Sequence, residues 1–108
     1  GQFQVQNNFT MKTLESQAMT LIGTASEKSP ISRKTLARRI GTDDRTARLV
    51  IEVLRHNGEC IVAHEKGGYY YAESEKQYRQ WRNSIESRIK RMNDMLKEMD
   101  KRWQHDFD

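Results

Sequence analysis

Residues 42–58, TDDRTARLVIEVLRHNG, carry start, stripe and stop signals for one amphipathic helix. Thr42 has a hydroxyl able to cap the backbone N–H groups that a helix start leaves orphaned, and Asp43 and Asp44 fall in the first turn, where the helix dipole favours anions. Gly58 is the residue type that closes a helix C-terminus. Between these signals Ala47, Val50, Ile51 and Leu54 recur at i, i+3, i+4 and i+7, the spacing of one buried stripe, while Arg45, Arg48, Glu52 and Arg55 take the opposite face. Three arginines on a solvent face are an ordinary surface when taken alone. Their neighbours in the chain give them meaning.

Just upstream, residues 32–40 (SRKTLARRI) form a second short helix, with Ser32 as N-cap, Leu36, Ala37 and Ile40 facing inward and Gly41 at the end. Two short helices joined by a glycine-containing turn are the helix-turn-helix pattern, in which the first helix braces and the second enters the DNA major groove. Downstream, residues 60–64 (CIVAH) and 69–72 (YYYA) are rich in β-branched and aromatic residues, and Glu65-Lys66-Gly67-Gly68 between them is a turn sequence. That is a β-hairpin. Tyr69 and Tyr71 share one strand face and Tyr70 the other, so the two sets are expected to differ in burial.

Helix, turn, helix and a hairpin closing on GGYYYA resemble the winged helix-turn-helix family, including the DNA-binding domains of biotin-repressor-like regulators and small phage-encoded or mobile-element proteins. The resemblance covers about residues 14–72 and is concentrated in ISRKTLARRIG and DRTARLVIEVLRHNGECIVAHEKGGYYYA. It implies binding of double-stranded DNA, with the second helix in the major groove and the hairpin tip on the backbone or minor groove. Transferred to this chain, the candidate DNA contacts are Ser32, Arg33, Lys34 and Arg38 on the first of the two helices, Arg45, Thr46, Arg48 and Arg55 on the second, and Lys66 on the wing. The carboxylates of Asp43 and Asp44 count against this assignment, because an acid at the start of a reading helix repels phosphate.

Charge is distributed in the same sense. The net charge is +4, but residues 28–58 hold eight Lys and Arg against three Asp and Glu, and the rest of the chain is close to neutral. A basic block confined to the helix-turn-helix is the electrostatic footprint of phosphate contact. Residues 11–25 carry Met11, Leu14, Ala18, Leu21, Ile22 and Ala25 in helical periodicity and supply a scaffold helix, whereas residues 1–10 (GQFQVQNNFT) lack periodicity and read as a flexible lead-in. Residues 27–30 (EKSP) are a linker; the winged-helix resemblance implies a short strand before the second helix, and the sequence leaves open whether Ile31 pairs beside the wing as a very short third strand.

From residue 74 to about residue 104 no Gly or Pro interrupts the chain, and Tyr78, Ile85, Met92 and Met99 repeat every seven residues with Ile89, Leu96 and Trp103 as companions. Arg82 breaks the seam and Trp81 lies beside it, so the start of this helix is expected to pack on the head. The remainder is too long for a compact head to cover, and the expected partner is a second copy held through Ile85, Ile89, Met92, Leu96, Met99 and Trp103. The flanking residues Arg79, Glu86, Arg88, Asn93 and Asp100 leave open whether the pair is parallel or antiparallel.

The fold class is therefore mainly α with a small β-hairpin, a winged helix-turn-helix head (residues 11–73) followed by a long C-terminal helix (residues 74–105). No nucleophile elbow, P-loop or glycine-rich phosphate fingerprint is present, which argues against an enzyme, and no cofactor or small-molecule effector is expected. His56, Cys60 and His64 are spaced by four but straddle a helix end and a strand and lack a fourth ligand, so no metal site is expected. Cys60, the only cysteine, lies at the expected start of a half-buried strand and reads as a buried structural thiol. With no apolar run of membrane-spanning length and no signal segment, a cytoplasmic location is expected. The competing reading is a winged-helix protein-interaction or scaffold module in a nucleoprotein complex, since fold alone does not fix function.

Overall fold

The structure, a computed structural model, describes residues 2–107, with side chains described for residues 11–106. The elements run α1 (Gln2–Gly23), α2 (Arg33–Ile40), α3 (Asp44–His56), β1 (Ile61–Ala63), β2 (Tyr69–Tyr71) and α4 (Glu75–Phe107). The first three helices and the hairpin form a winged helix-turn-helix head, and α4 follows it. Helix α1 is longer than the periodicity of its apolar residues indicates. Its backbone is helical from Gln2, ahead of Met11, and no Gly or Pro between Gln2 and Ile22 forces a later start.

The turn between α2 and α3 shows how the local sequence sets the helix-turn-helix. Ser32 caps α2 by accepting from the Thr35 N–H at 3.1 Å. At the other end Gly41 adopts a left-handed conformation (φ 74°); its N–H donates to the Arg38 carbonyl and the Thr42 N–H donates to the Ala37 carbonyl at 2.9 Å. These two bonds make a Schellman closure, which glycine enters without steric cost. Thr42 is thereby committed to ending α2. The N-cap of α3 is consequently Asp43 and not Thr42: its carboxylate accepts from the Thr46 N–H at 2.8 Å. The same closure ends α3, where the N–H groups of Gly58 and Glu59 donate to the carbonyls of Arg55 and Leu54.

Ala18 and Ile22 of α1, Leu36 and Ile40 of α2, Val50, Ile51 and Leu54 of α3 and Ile61 of β1 meet in one buried cluster. Every stripe residue expected on α2 and α3 is buried. The hairpin pairs Ile61 with Tyr71, Val62 with Tyr70 and Ala63 with Tyr69 in antiparallel register. As the alternation requires, Tyr70 is buried while Tyr69 and Tyr71 are half-buried. Ile31 joins as a single bridge, exchanging both backbone hydrogen bonds with Tyr69 (3.0 and 2.7 Å), and so fastens the α1–α2 connection to the wing. Gly68 sits where a Cβ would lie 2.8 Å from the Pro30 Cβ, so glycine is what allows the wing to lie against that connection.

Helix α4 starts at a Ser74 cap, whose hydroxyl accepts from the Gln77 N–H. Gln77 also donates to Glu27 at 2.6 Å and Trp81 is half-buried, so the first turns rest on the head as expected. From Glu86 to Asp106 every residue is exposed. At 1.5 Å per residue the 33-residue helix is roughly 50 Å long, matching the longest dimension of the molecule, 52 Å. No described helix is long and apolar enough to cross a membrane.

Candidate nucleic-acid interface

The solvent side of the helix-turn-helix carries an excess of cations, with Asp43, Asp44 and Glu52 as the exposed acids. Lys34, Arg38 and Arg39 on α2 and Arg45 and Arg48 on α3 are exposed, and among the described residues none of them makes an ion pair with a carboxylate. Arg39 was not singled out from the sequence. It follows Arg38 in the last turn of α2, where cations also complement the helix dipole. Thr46 is half-buried and its N–H is taken by the Asp43 cap; Ser32 spends its hydroxyl on Thr35. Both therefore act first as parts of the scaffold.

The two carboxylates at the start of α3 have structural partners. Asp43 caps the helix, and the Thr46 hydrogen bonds hold its carboxyl below the usual carboxylate range. Asp44 accepts from the Arg33 Nε at 2.7 Å, bridging the start of α2 to the start of α3. That hydrogen bond, followed by one to the Tyr69 hydroxyl, raises the Arg33 pKa above its ordinary value. Arg33 is thus half-buried and paired, a clamp between the helices and the wing, while Asp44 is neutralised by it. What remains of the acidic pair is a single carboxylate turned to its own helix N-terminus.

Arg55 does not belong to the exposed face. A helical wheel places it with Arg48, but at the C-terminal end of α3 the hairpin and α4 wrap round this side. Its Nε donates to the Ile61 carbonyl at 2.8 Å, and its guanidinium lies 4.6 Å from the Trp81 ring centroid and 5.7 Å from that of Tyr69. Burial lowers its pKa, and Nη2 is buried without a hydrogen-bond partner. Its role is to join α3, the wing and α4.

At the wing tip the His64 N–H donates to the Gly68 carbonyl at 2.9 Å, the Gly67 N–H to the His64 carbonyl at 2.8 Å and the Lys66 N–H to His64 Nδ1 at 3.1 Å. The tip is therefore defined by its own backbone, and the Lys66 side chain is exposed on it. Cys60 is exposed, contrary to the expectation of a buried structural thiol: the strand starts one residue later, at Ile61, and Cys60 falls in the turn leaving α3. Tyr71 has its pKa pushed up to about 12, by burial first and then by a hydrogen bond with Glu59, and is a packing residue of the hairpin.

Two apolar features stand outside the core. Leu49, 46% exposed, lies among the arginines of α3 and was not singled out from the sequence, because an isolated apolar residue off the stripe carries no periodic signal. On α4, Ile89, Met92, Leu96, Met99 and Trp103 are all half or more exposed, and so is Met95, which flanks the seven-residue repeat. Ile85 differs from them. It is half-buried and lines a cleft of about 530 Å³ between α4 and the hairpin, together with Ala63, His64, Tyr70, Trp81 and Arg88.

Among the described residues no group of three or more His, Cys, Asp or Glu side chains gathers in a metal-binding arrangement. No protein-family model matches the chain, and no curated protein or solved structure matches it.

Proposed function

We propose that this is a winged-helix protein that binds double-stranded DNA sequence-specifically, reading the major groove with α3 and touching the backbone with α2 and the hairpin tip. The single observation that carries this reading is the set of exposed cations Lys34, Arg38, Arg39, Arg45 and Arg48, none of them in an ion pair with a carboxylate among the described residues, on a helix pair where Asp43 and Asp44 are engaged in the scaffold and Glu52 is the exposed acid that remains. Arginine near the start of a groove helix is suited to a bidentate contact with guanine O6 and N7, and a lone exposed apolar residue such as Leu49 is suited to a thymine methyl. Lysine and arginine on the bracing helix and wing supply phosphate contacts that fix register.

The exposed apolar stripe of α4 makes a second copy of the chain the expected partner, giving a small transcriptional or replication regulator that acts as a dimer in the cytoplasm. Each of Ile89, Met92, Leu96 and Met99 contributes on the order of 1.5–3 kcal/mol when fully removed from water. The test is selection of bound duplexes from a random pool. The proposal expects enrichment of a defined motif, with two half-sites if two heads bind together. Recovery of unenriched sequence with measurable affinity would reduce it to non-specific binding.

A second reading, a protein-interaction module in a nucleoprotein complex, is favoured by the exposure of Leu49 on the same face as the arginines. It differs in one measurable respect: an interaction module shows no retention on duplex DNA and no steep dependence on salt.

A further inference from the structure

We infer that α4 pairs with α4 of a second copy in a parallel, in-register coiled coil, which sets two basic winged heads at the same end of the dimer. This rests on the reading above that the exposed stripe of α4 is a pairing surface for a second copy.

The argument comes from the two flanks of the stripe. Ile89, Leu96 and Trp103 alternate with Ile85, Met92 and Met99 as the core positions of a heptad. One flank then carries Arg88, Met95 and Arg102, and the other Glu86, Asn93 and Asp100, each set at seven-residue spacing. All these residues are exposed. The basic charges are on one flank and the acidic charges on the other; Arg79, an exception nearer the head, is taken up by Glu75 at 2.8 Å.

In a coiled coil the flanks meet according to helix direction. In a parallel in-register pair one flank lies along the partner's other flank, Arg88 beside the partner's Asn93 and Met95 beside the partner's Asp100, so no like charges meet. An antiparallel pair sets like flank against like flank. The antiparallel alignment that buries the whole stripe puts Ile89 opposite the partner's Met99, Met92 opposite the partner's Leu96 and Ile85 opposite the partner's Trp103. That same alignment sets Arg88 against the partner's Arg102 and Glu86 against the partner's Asp100, and the two-fold axis repeats both repulsions. Within each helix Arg82 pairs with Glu86 and Arg102 with Asp106 at 2.8 Å, but Arg88 and Asp100 make no such pair among the described residues. Charge therefore opposes the antiparallel pair and accommodates the parallel one.

The consequence reaches the heads. Each head is anchored to the first turns of its own α4 through Trp81, Arg55 and Gln77. A parallel pair holds both heads together at the N-terminal end of the coiled coil, where they can engage two half-sites of a single two-fold symmetric duplex site.

The test is disulfide mapping on the full chain with exposed Cys60 changed to Ser. Met99→Cys and Ile89→Cys are made separately, both at positions exposed in the monomer, with circular dichroism to check the fold. Under mild oxidation the parallel pair predicts that each variant links to itself efficiently. The antiparallel alignment predicts that neither does so, and that an equimolar mixture of the two forms the mixed disulfide; that outcome overturns the proposal. Sedimentation of the unmodified protein at tens of micromolar separates the underlying premise, since a monomer there overturns pairing altogether. Duplex affinity of the cross-linked Met99→Cys dimer separates the DNA reading. A linked dimer that binds no duplex leaves the parallel geometry standing and removes the DNA function.

Discussion

Trp81→Ala tests the junction that holds α4 on the head. The ring carries the Arg55 guanidinium at 4.6 Å in a partly desolvated setting, where such a contact contributes up to about 2 kcal/mol. The ring is also half-buried against the hairpin. Replacing a fully buried aromatic by alanine costs about 3–5 kcal/mol, and half of that burial gives about 2 kcal/mol. Removing the ring also lets water reach the unpartnered Nη2 of Arg55, which offsets roughly 1 kcal/mol. The net loss is about 3 kcal/mol. At about 4 °C per kcal/mol for a domain of this size, the thermal midpoint drops by roughly 12 °C. The assay is a far-ultraviolet melt of purified protein at fixed concentration. Arg55→Leu is the companion variant: it gives up the ring contact and the bond to the Ile61 carbonyl but also removes a buried charge, so its loss is smaller, about 1 kcal/mol. Because Arg55 faces the junction, Arg55→Leu leaves duplex affinity within about twofold. A Trp81→Ala midpoint within about 2 °C of the parent would refute the junction, and a tenfold affinity loss in folded Arg55→Leu would return Arg55 to the DNA face.

Three further outcomes follow from the proposed interface. Arg48→Ala is expected to remove about 1–3 kcal/mol of discrimination at one base pair and so flatten the selected motif; equal loss of specific and non-specific affinity would make Arg48 a phosphate contact only. Lys66→Glu at the wing tip is expected to weaken binding to all duplexes alike and to reduce the magnitude of the salt slope by about one, measured by fluorescence anisotropy. For Asp43 the sign follows from its depressed pKa: the ionised cap stabilises the folded state fully above about pH 4 and loses that contribution as pH falls through the lower folded-state value. Asp43→Ala should therefore lower the melting temperature at neutral pH and flatten this acid limb, whereas an unchanged acid limb would show that Asp43 does not cap α3 in solution.

The parts of this molecule that were legible in its sequence are those governed by local periodicity and caps. The buried stripe of α3, the Ser32 cap, the Gly41 closure and the unequal tyrosines of the hairpin all follow from residues within a few positions of one another. The misassigned parts depend on contacts between distant segments. Arg33 and Asp44 are eleven residues apart and on different helices, so nothing in either segment announces that one neutralises the other. The helical periodicity of α3 alone sets Arg55 with Arg48 and carries no sign that Trp81 and Tyr69 close over the helix end. Thr42 and Asp43 are both competent caps, and the choice between them was made by the Schellman closure of the preceding helix. On α4 the seven-residue repeat was legible, but the flank charges gained a direction only when set against a specific antiparallel alignment.

The central claim, that the basic face of α2, α3 and the wing is a duplex-binding surface, is tested most directly by the salt dependence of duplex affinity. With four phosphate contacts, from Lys34, Arg38 and Arg39 of α2 and Lys66 of the wing, the plot of log K against log salt should fall with a slope of about −3.6 per head. Lys34→Ala combined with Arg38→Ala should bring that slope to about −1.8. A slope near zero, or no binding at low salt by a folded protein, would contradict the account.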